Sequence, residues 1–296
     1  MAAKQCPDRY YERMESSGDD KLKITRFLSD GSSVLDVGAG GGVLAELLLN
    51  RFPNIHVTAL DQSNTAVARL NTLADKYPGR LSVVQADFFE FKTEERFDAV
   101  IFCSSLHEIF SYCEYEGERF RKETISRALD KAASFLKQGE GKIIIRDGIS
   151  ARYNPKILLK YTDPALKKLA EQYENEFEGF PLEIIHTPLG DIMPYNSMME
   201  LLYTITWGEE SFAREVQEWY GYYTMDDWVG EEKRLAYNHK LFLTHTEKYL
   251  QPGYKEHLRG KIILQSAPRL DWSGQVYSKP IDFPASNCLV VFERVC

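Results

Sequence analysis

The chain is most constrained by the stretch 33–44, in which an apolar strand, a glycine-rich turn and a helix follow one another. Val34 and Leu35 have the character of a buried strand, and from Val43 onward apolar residues recur at helical spacing. The turn between them holds three alternating glycines, Gly38, Gly40 and Gly42. Glycine permits positive φ and close approach of the backbone to a ligand, and the positive end of a helix follows at once. The stretch therefore predicts a ligand-binding strand–turn–helix unit.

An acidic residue and the glycine spacing narrow the class of ligand. Asp36 precedes the first glycine and gives the pattern D-x-G-x-G-x-G. A dinucleotide-binding turn has the pattern G-x-G-x-x-G, and Val43 stands where its last glycine would be. A carboxylate at this point favours a ligand that carries an amino group over a bare pyrophosphate. An NAD-dependent oxidoreductase is therefore disfavoured.

Strands and helices alternate along the first half of the chain. After the first strand, the predicted strands are His56–Asp61, Leu81–Phe88, Arg96–Cys103 and Lys142–Asp147, and the predicted helices between them include Thr65–Tyr77 and Ile125–Leu136. Strands that are almost wholly apolar are typical of parallel sheets covered on both faces. The alternation therefore predicts an α/β fold with a doubly wound, mostly parallel sheet.

Four features together resemble the class I S-adenosylmethionine (SAM)-dependent methyltransferases: Asp36-x-Gly38-x-Gly40-x-Gly42, Asp61, Ala86-Asp87-Phe88 and Phe97-Asp98-Ala99-Val100. The resemblance implies SAM as the cofactor and a seven-stranded sheet, with Lys261–Leu264 as its sixth strand and Cys288–Glu293 as its reversed seventh. It also implies three regions. These are a cofactor-binding core with an N-terminal helical segment (1–150), a helical substrate cap inserted after the fifth strand (151–237), and C-terminal strands that complete the sheet (238–296).

The resemblance implies contacts to the methionine end of the cofactor. The loop Gly38-Ala39-Gly40 would approach the methionine moiety, and Asp36 would help to hold that loop and the amino group of the ligand. Cys103 and Ser104, which follow the fourth strand, would lie near the transferred methyl group through their backbone.

The adenosine end is assigned to acids that follow the second and third strands. Asp61 suits a ribose diol, because a carboxylate accepts hydrogen bonds from both hydroxyls. Gln62, Asp87 and Phe88 are expected to flank the adenine. Taken alone, Asp87 and Phe88 equally fit a capping carboxylate followed by a core phenylalanine, and only their register with the other sites favours the cofactor.

The segment after the fourth strand supplies the candidate catalytic residues, His107 and Glu108. An imidazole titrates near neutrality and can deprotonate a hydroxyl or an amine. Glu108 is expected to orient it or to bind a substrate cation. The alternative for His107 is a helix cap or a cofactor contact that moves no proton.

Composition limits the other possibilities. The net charge of −8 disfavours a polyanion, duplex nucleic acid in particular, as the main partner. The five cysteines, Cys6, Cys103, Cys113, Cys288 and Cys296, contain no C-x-x-C pair, so neither a disulfide framework nor a metal site is expected. No secretory leader or membrane-spanning run is recognisable, and we expect a cytoplasmic protein.

The acceptor is the open point at this stage. The Asn/Asp-Pro-Pro-Tyr/Phe signature of amino-group methylation on adenine or glutamine is absent after the fourth strand, so an oxygen or nitrogen of a small molecule or flexible peptide is favoured. One alternative is an RNA or nucleotide methyltransferase that uses a basic helical face, Lys156, Lys160, Lys167 and Lys168. Another is a SAM-binding module without catalysis. The oligomeric state is left open.

Overall fold

The main sheet of the protein has seven strands, in a computed structural model that describes residues 18–206, 208–270 and 275–295. Its order is β3-β2-β1-β4-β5-β13-β9. The strands are β1 (Ser33–Val37), β2 (His56–Asp61), β3 (Leu81–Gln85), β4 (Ala99–Cys103), β5 (Lys142–Gly148), β9 (Leu241–Tyr249) and β13 (Asn287–Arg294). The first five are parallel, and β13 is antiparallel to both of its neighbours. This confirms the predicted sheet and its reversed C-terminal strand.

Helices cover both faces of this sheet. They are α1 (Gly18–Lys21), α2 (Val43–Arg51), α3 (Asn64–Ala74), α4 (Leu106–Tyr112), α5 (Lys122–Ser134) and α9 (Met225–His239), with a 3₁₀ helix at Leu22–Phe27. One face is packed with aromatic rings, and the other with aliphatic side chains under α2 and α3. The predicted N-terminal helical segment before residue 18, with Cys6 in it, lies outside the described residues, as does Cys296.

The glycine turn has the conformation that the pattern predicts. Gly38, Gly40 and Gly42 all have positive φ, at 70°, 55° and 86°. A Cβ at Gly38 would lie 2.7 Å from Cβ of Ser105, so a side chain there would collide with the segment that follows β4. The turn is thereby pressed against the end of the neighbouring strand.

A second, four-stranded sheet departs from the prediction. Its order is β10-β6-β8-β7, with β6 (Lys156–Tyr161), β7 (Ile185–Thr187), β8 (Gly190–Pro194) and β10 (Ile262–Ser266). It packs with α6 (Pro164–Glu176), α7 (Tyr195–Thr206), α8 (Glu209–Glu215) and α10 (Tyr254–Leu258) around a second core. A short hairpin, β11 (Arg269–Leu270) and β12 (Val276–Tyr277), follows. The insertion predicted as helical thus also contains three strands.

The sixth strand of the main sheet was assigned wrongly. Lys261–Leu264 overlaps β10, which pairs antiparallel with β6 in the second sheet, and the edge strand beside β13 is β9. An edge strand has one solvated face, so β9 alternates partly buried and exposed residues and carries polar ones. The short apolar run of Ile262, Ile263 and Leu264 is instead typical of a core strand. The domain boundaries at 150 and 237 stay predictions.

Three further features complete the frame. Cys103, Cys113 and Cys288 are free thiols. Within the described ranges, no helix is long and apolar enough to cross a membrane. The four lysines predicted to share a helical face do not do so, because Lys156 and Lys160 lie on β6 and Lys167 and Lys168 on α6.

Candidate active site

A cleft opens where the parallel strands β1 to β4 end. Of the predicted residues, six line it, namely Gly38, Asp61, Gln62, Asp87, Phe88 and Glu108. Val37, Leu60, Ala86 and Ile109 supply apolar walls, and Tyr112 and Cys113 lie at the side of α4. Asp36, Ala39, Gly40, Cys103, Ser104 and His107 do not line the cleft; they lie behind or beside it. Ligands of doubly wound sheets bind in the crevice at this edge.

Asp61 ties the glycine turn to the second strand. Its Oδ2 accepts a hydrogen bond from the backbone N–H of Gly40 at 2.8 Å, and its Oδ1 accepts one from Ser63 at 2.8 Å. The N–H groups of Gly38 and Ala39 donate to the carbonyl of Leu60, so a second set of bonds holds the same turn. The carboxylate thus shapes the loop and faces the cleft.

Asp87 and Phe88 have structural contacts as well as a place in the cleft wall. Oδ1 of Asp87 accepts from the N–H of Phe89 at 2.7 Å and caps the turn after β3. The Phe88 ring is 7% exposed and packs edge-on against Phe102 with ring centres 5.5 Å apart. The capping and core contacts considered for these two residues are therefore present, and they fix the position of the wall.

Asp36 lies in a buried row of charges behind the glycine turn. It is 1% exposed, and its Oδ2 has no hydrogen-bond partner among the described residues. Burial raises its pKa to about 7, an effect that nearby Lys21 opposes and Asp61 reinforces. The neighbouring thiol of Cys103 is also buried, which raises its pKa to about 11 and leaves it unreactive at neutral pH.

Arg146 and Asp20 form a buried ion pair at the same end of the sheet. They are 3% exposed each, and Nε of Arg146 donates to Oδ2 of Asp20 at 2.9 Å. Arg146 also donates to the hydroxyl of Ser104 and, at 2.8 Å, to Oε1 of Gln251. Ser104 has a φ of 60° and donates its N–H to the carbonyl of Arg146. The residue predicted beside the methyl group is thus held by an arginine that the sequence did not single out.

His107 lies on the other face of the sheet end, held between two carboxylates. Its Nδ1 is 2.6 Å from Oδ1 of Asp147, whose Oδ2 accepts from the His107 backbone N–H at 3.0 Å. Its Nε2 is 3.6 Å from Oε2 of Glu218. Burial alone would lower the pKa of His107, but Asp147 and Glu218 together raise it well above 6.5. The imidazole is therefore protonated at neutral pH in this arrangement.

Glu218 joins His107 to the second core. Tyr112 donates to its Oε1 at 2.8 Å, Arg214 donates to the same atom at 2.8 Å, and Tyr220 donates to its Oε2 at 2.7 Å. Burial opposes ionisation, but Arg214 and His107 hold the pKa of Glu218 below its usual range. Glu218 thus carries a negative charge beside the imidazole.

Three further acids, Glu108, Glu200 and Glu215, lie around the charged carboxylate of Glu218. Glu108 forms an ion pair with Arg214, and burial raises the pKa of Glu108 although that arginine lowers it. Glu200 accepts from the N–H groups of Tyr220 and Gly221, and its burial raises its pKa to about 8. Glu215 lies within hydrogen-bond distance of the same Tyr220 hydroxyl. We call Asp147, Glu200, Glu215 and Glu218 the buried acid cluster.

Sequence reasoning missed most of this region. The signal available for Arg146 and Asp147 was a pair of charged residues at the end of an otherwise apolar strand. No local pattern marks Glu218 as a partner of the imidazole, because His107 and Tyr112 lie about a hundred residues away on α4. The described residues contain no group of three His, Cys, Asp or Glu side chains that could hold a metal ion.

Comparison with known proteins finds relatives of one stretch within the first half of the chain. Residues 34–139 match the model of a family described as a methyltransferase domain. A tRNA1(Val) (adenine(37)-N6)-methyltransferase of Vibrio campbellii is 38% identical over 72 residues, 24% of this chain and 30% of the relative. A release factor glutamine methyltransferase of Geobacter sulfurreducens is 30% identical over 70 residues, 24% of this chain and 25% of the relative. The chain thus spans under a third of the length of these relatives.

Solved structures share the fold over nearly the whole chain. The pyocyanin biosynthetic protein PhzM has a TM-score of 0.53 at 14% identity, covering 98% of this chain and 59% of the other. The 1,6-didemethyltoxoflavin-N1-methyltransferase of Burkholderia thailandensis has a TM-score of 0.51 at 13% identity, covering 100% and 93%. Residues 34–139 thus match a methyltransferase domain, and the chain has the Rossmann-like fold of the SAM-dependent methyltransferases.

Proposed function

We propose that the chain transfers a methyl group from SAM to an oxygen or nitrogen of a small molecule or flexible peptide. The observation that carries the proposal is the cleft at the ends of β1 to β4, in which the glycine turn, Asp61 and Asp87 meet. Three elements distant in sequence thus converge on one ligand site.

The cleft has the chemistry that an adenosine moiety requires. Asp61 offers carboxylate oxygens to a ribose diol, and Leu60, Ala86 and Phe88 offer apolar surface to a base. At the other end, a Cβ built on Gly40 would meet nothing within 4 Å, so the loop borders open space. The buried Oδ2 of Asp36, which has no hydrogen-bond partner in the described part of the chain, suits an amino group. When bound, SAM supplies an electrophilic methyl group, and the residues of this chain hold and align it.

The acceptor is proposed to bind between α4 and the buried acid cluster. Glu108 and Tyr112 line the cleft and also contact Arg214 and Glu218, so they join the two regions. In the proposed reaction His107 is the general base, with Asp147 on Nδ1 directing Nε2 toward the acceptor. Because Glu218 holds His107 protonated, Nε2 first gives its proton to the Glu218 carboxylate, and it then accepts the proton of the acceptor hydroxyl or amine.

A second candidate is methylation of RNA. It is favoured by the curated relatives, several of which act on tRNA or ribosomal RNA. Against it, the matched stretch covers only a quarter of the chain, and the basic residues proposed for RNA are divided between a strand and a helix. The small-molecule or peptide acceptor therefore remains the first proposal.

Calorimetric titration tests the cofactor. We expect S-adenosylhomocysteine (SAH) and SAM to bind and NAD not to bind. Asp61→Asn should weaken the binding of both SAH and SAM. The matched control is Asp98→Asn, since Asp98 also accepts a backbone N–H, from Ser33 at 2.7 Å, but lies at the opposite ends of the strands. Binding of NAD in place of SAH, or equal affinity in Asp61→Asn and Asp98→Asn, would contradict the assignment.

Transfer of a radiolabelled methyl group tests the acceptor. The protein is incubated with labelled SAM and, separately, with the low-molecular-mass fraction, the peptide fraction and total RNA of a cell extract. We expect label in one of the first two fractions and loss of transfer in His107→Gln. Label confined to RNA would replace the first proposal with the second.

A further inference from the structure

Two consecutive residues, Asp20 and Lys21, place a carboxylate and an ammonium group in the buried row of charges behind the glycine turn. A free amino acid carries the same two groups. Asp20 places a carboxylate on the guanidinium of Arg146, with its Oδ2 bonded to two guanidinium nitrogens. Lys21 is 3% exposed and interacts with the charge of Asp36. We call Asp20 and Lys21, which end α1, the clip.

The clip lies where the proposed cofactor needs its own contacts. Arg146 also binds the hydroxyl of Ser104, directly after β4, and Asp36 lies at the end of β1, two residues before Gly38, so both partners of the clip lie at the strand ends that carry the cleft. The methionine end of SAM carries one ammonium and one carboxylate, the same two groups that Lys21 and Asp20 bring. Two buried atoms, Oδ1 of Asp20 and Oδ2 of Asp36, lack hydrogen-bond partners among the described residues, so the clip satisfies this subsite only in part.

We propose that the clip is an internal ligand, which competes with the amino-acid end of the cofactor for Arg146 and Asp36. This rests on the proposed function. A buried guanidinium left without a carboxylate is costly, so the exchange of Asp20 for the cofactor carboxylate keeps Arg146 paired in both states. The affinity for the cofactor is then reduced by the fraction of molecules in which the clip is open.

Outer ion pairs favour the closed state. Lys23 and Arg26, on the 3₁₀ helix after the clip, both bind the carboxylate of Glu247 on β9. Lys23 also lies over the ring of Tyr249, 4.1 Å from its centre. The two ion pairs with Glu247 hold the same segment without touching Arg146 or Asp36, so they can be weakened independently.

The test compares SAH with 5′-methylthioadenosine, which has the adenosine moiety but no amino-acid end. Asp20→Asn keeps the shape of the clip but removes its charge from Arg146. If the clip closes in nine-tenths of the molecules, the variant should bind SAH about tenfold more tightly. Its affinity for 5′-methylthioadenosine should not change. Both dissociation constants are measured by calorimetry on the full chain.

Glu247→Gln is the second variant, because it loosens the same segment from a partly exposed position. We expect this variant to bind SAH more tightly than the wild type does, by a smaller factor than Asp20→Asn. In the wild type, SAH should speed tryptic cleavage after Lys21 or Lys23, and 5′-methylthioadenosine should not. Unchanged or weaker SAH binding in both variants would overturn the proposal. If neither ligand bound the wild type, the proposed function itself would fail, so the two failures are distinguishable.

Discussion

The charge of Glu218 is predicted to keep His107 protonated, and Glu218→Gln should therefore lower the pKa of His107. The imidazole Nε2 and the Glu218 carboxylate are 3.6 Å apart, and both side chains are at most 5% exposed. At an effective dielectric constant of about 20, two unit charges at this distance interact by about 4.6 kcal/mol. Relaxation of the cluster reduces this upper bound, and we expect the pKa of His107 to be clearly lower in the variant than in the wild type.

The measurement is a titration of the imidazole followed by NMR in protein with labelled histidine. The chain has six histidines, so His107→Gln identifies the resonance. Glu178→Gln is the control, because Glu178 pairs with Arg119 at 2.8 Å on the surface and does not contact His107. Once an acceptor is known, the rising limb of the pH–rate profile should move to lower pH in Glu218→Gln, since the base form of His107 is then present at lower pH.

Stability gives an independent readout of the same shift. A histidine whose pKa is raised in the folded state contributes stability that is present in full below about 6.5 and lost as the pH rises through the folded value. In Glu218→Gln this loss should be complete at a lower pH than in the wild type. An unchanged pKa of His107 in the variant would refute the reasoning, because it would mean that Asp147 alone holds the proton.

The remaining predictions concern the turn, the buried acid and the main core. Gly38→Ala should abolish SAH binding and destabilise the fold by about 1–3 kcal/mol, because its Cβ meets Ser105; Gly31→Ala, which has positive φ but open space, should cost less and leave binding intact. Asp36→Asn should be more stable relative to the wild type at pH 8 than at pH 5, because burial raises the pKa of Asp36 to about 7 and makes its ionisation unfavourable to folding; equal differences at both pH values would count against this. Trp228→Ala should cost about 3–5 kcal/mol in urea unfolding, because the side chain is fully buried in the main core, and a smaller loss would indicate that the site collapses around the deletion.

The nucleotide-binding half of the fold was predictable because its signals are local. The apolar strand, the acid that ends it and the glycine turn lie within about ten residues of one another, and later strands of this half also end in an acid. Asp61 and Asp87, which lie at the ends of such strands, both line the cleft. Their hydrogen bonds to Gly40 and Phe89 show that the same carboxylates also organise the backbone, which a sequence pattern does not reveal.

The second core was predicted poorly because its pairing is nonlocal. β6 and β10 are about a hundred residues apart, and only their antiparallel register shows that both belong to one sheet. The sequence predicts helix where β6 lies, because the three buried residues of this strand, Ile157 to Leu159, come shortly before the amphipathic α6. The contacts of Glu218 with Tyr112 and His107 depend on how this core meets α4, so the acid cluster could not be foreseen either.

The end of β5 links the two halves of the site through the alternation of a single strand. Successive side chains of a strand point to opposite faces, so Arg146 and Asp147 face different sides of the sheet. Arg146 holds Asp20 and Ser104 on one side, and Asp147 holds His107 on the other. A shift of β5 by one residue would exchange the two and leave each buried charge facing a like one or none. The register of β5 with β4 and β13 is therefore required by the cofactor subsite and by the proposed base at once, and variants that loosen it should affect both together.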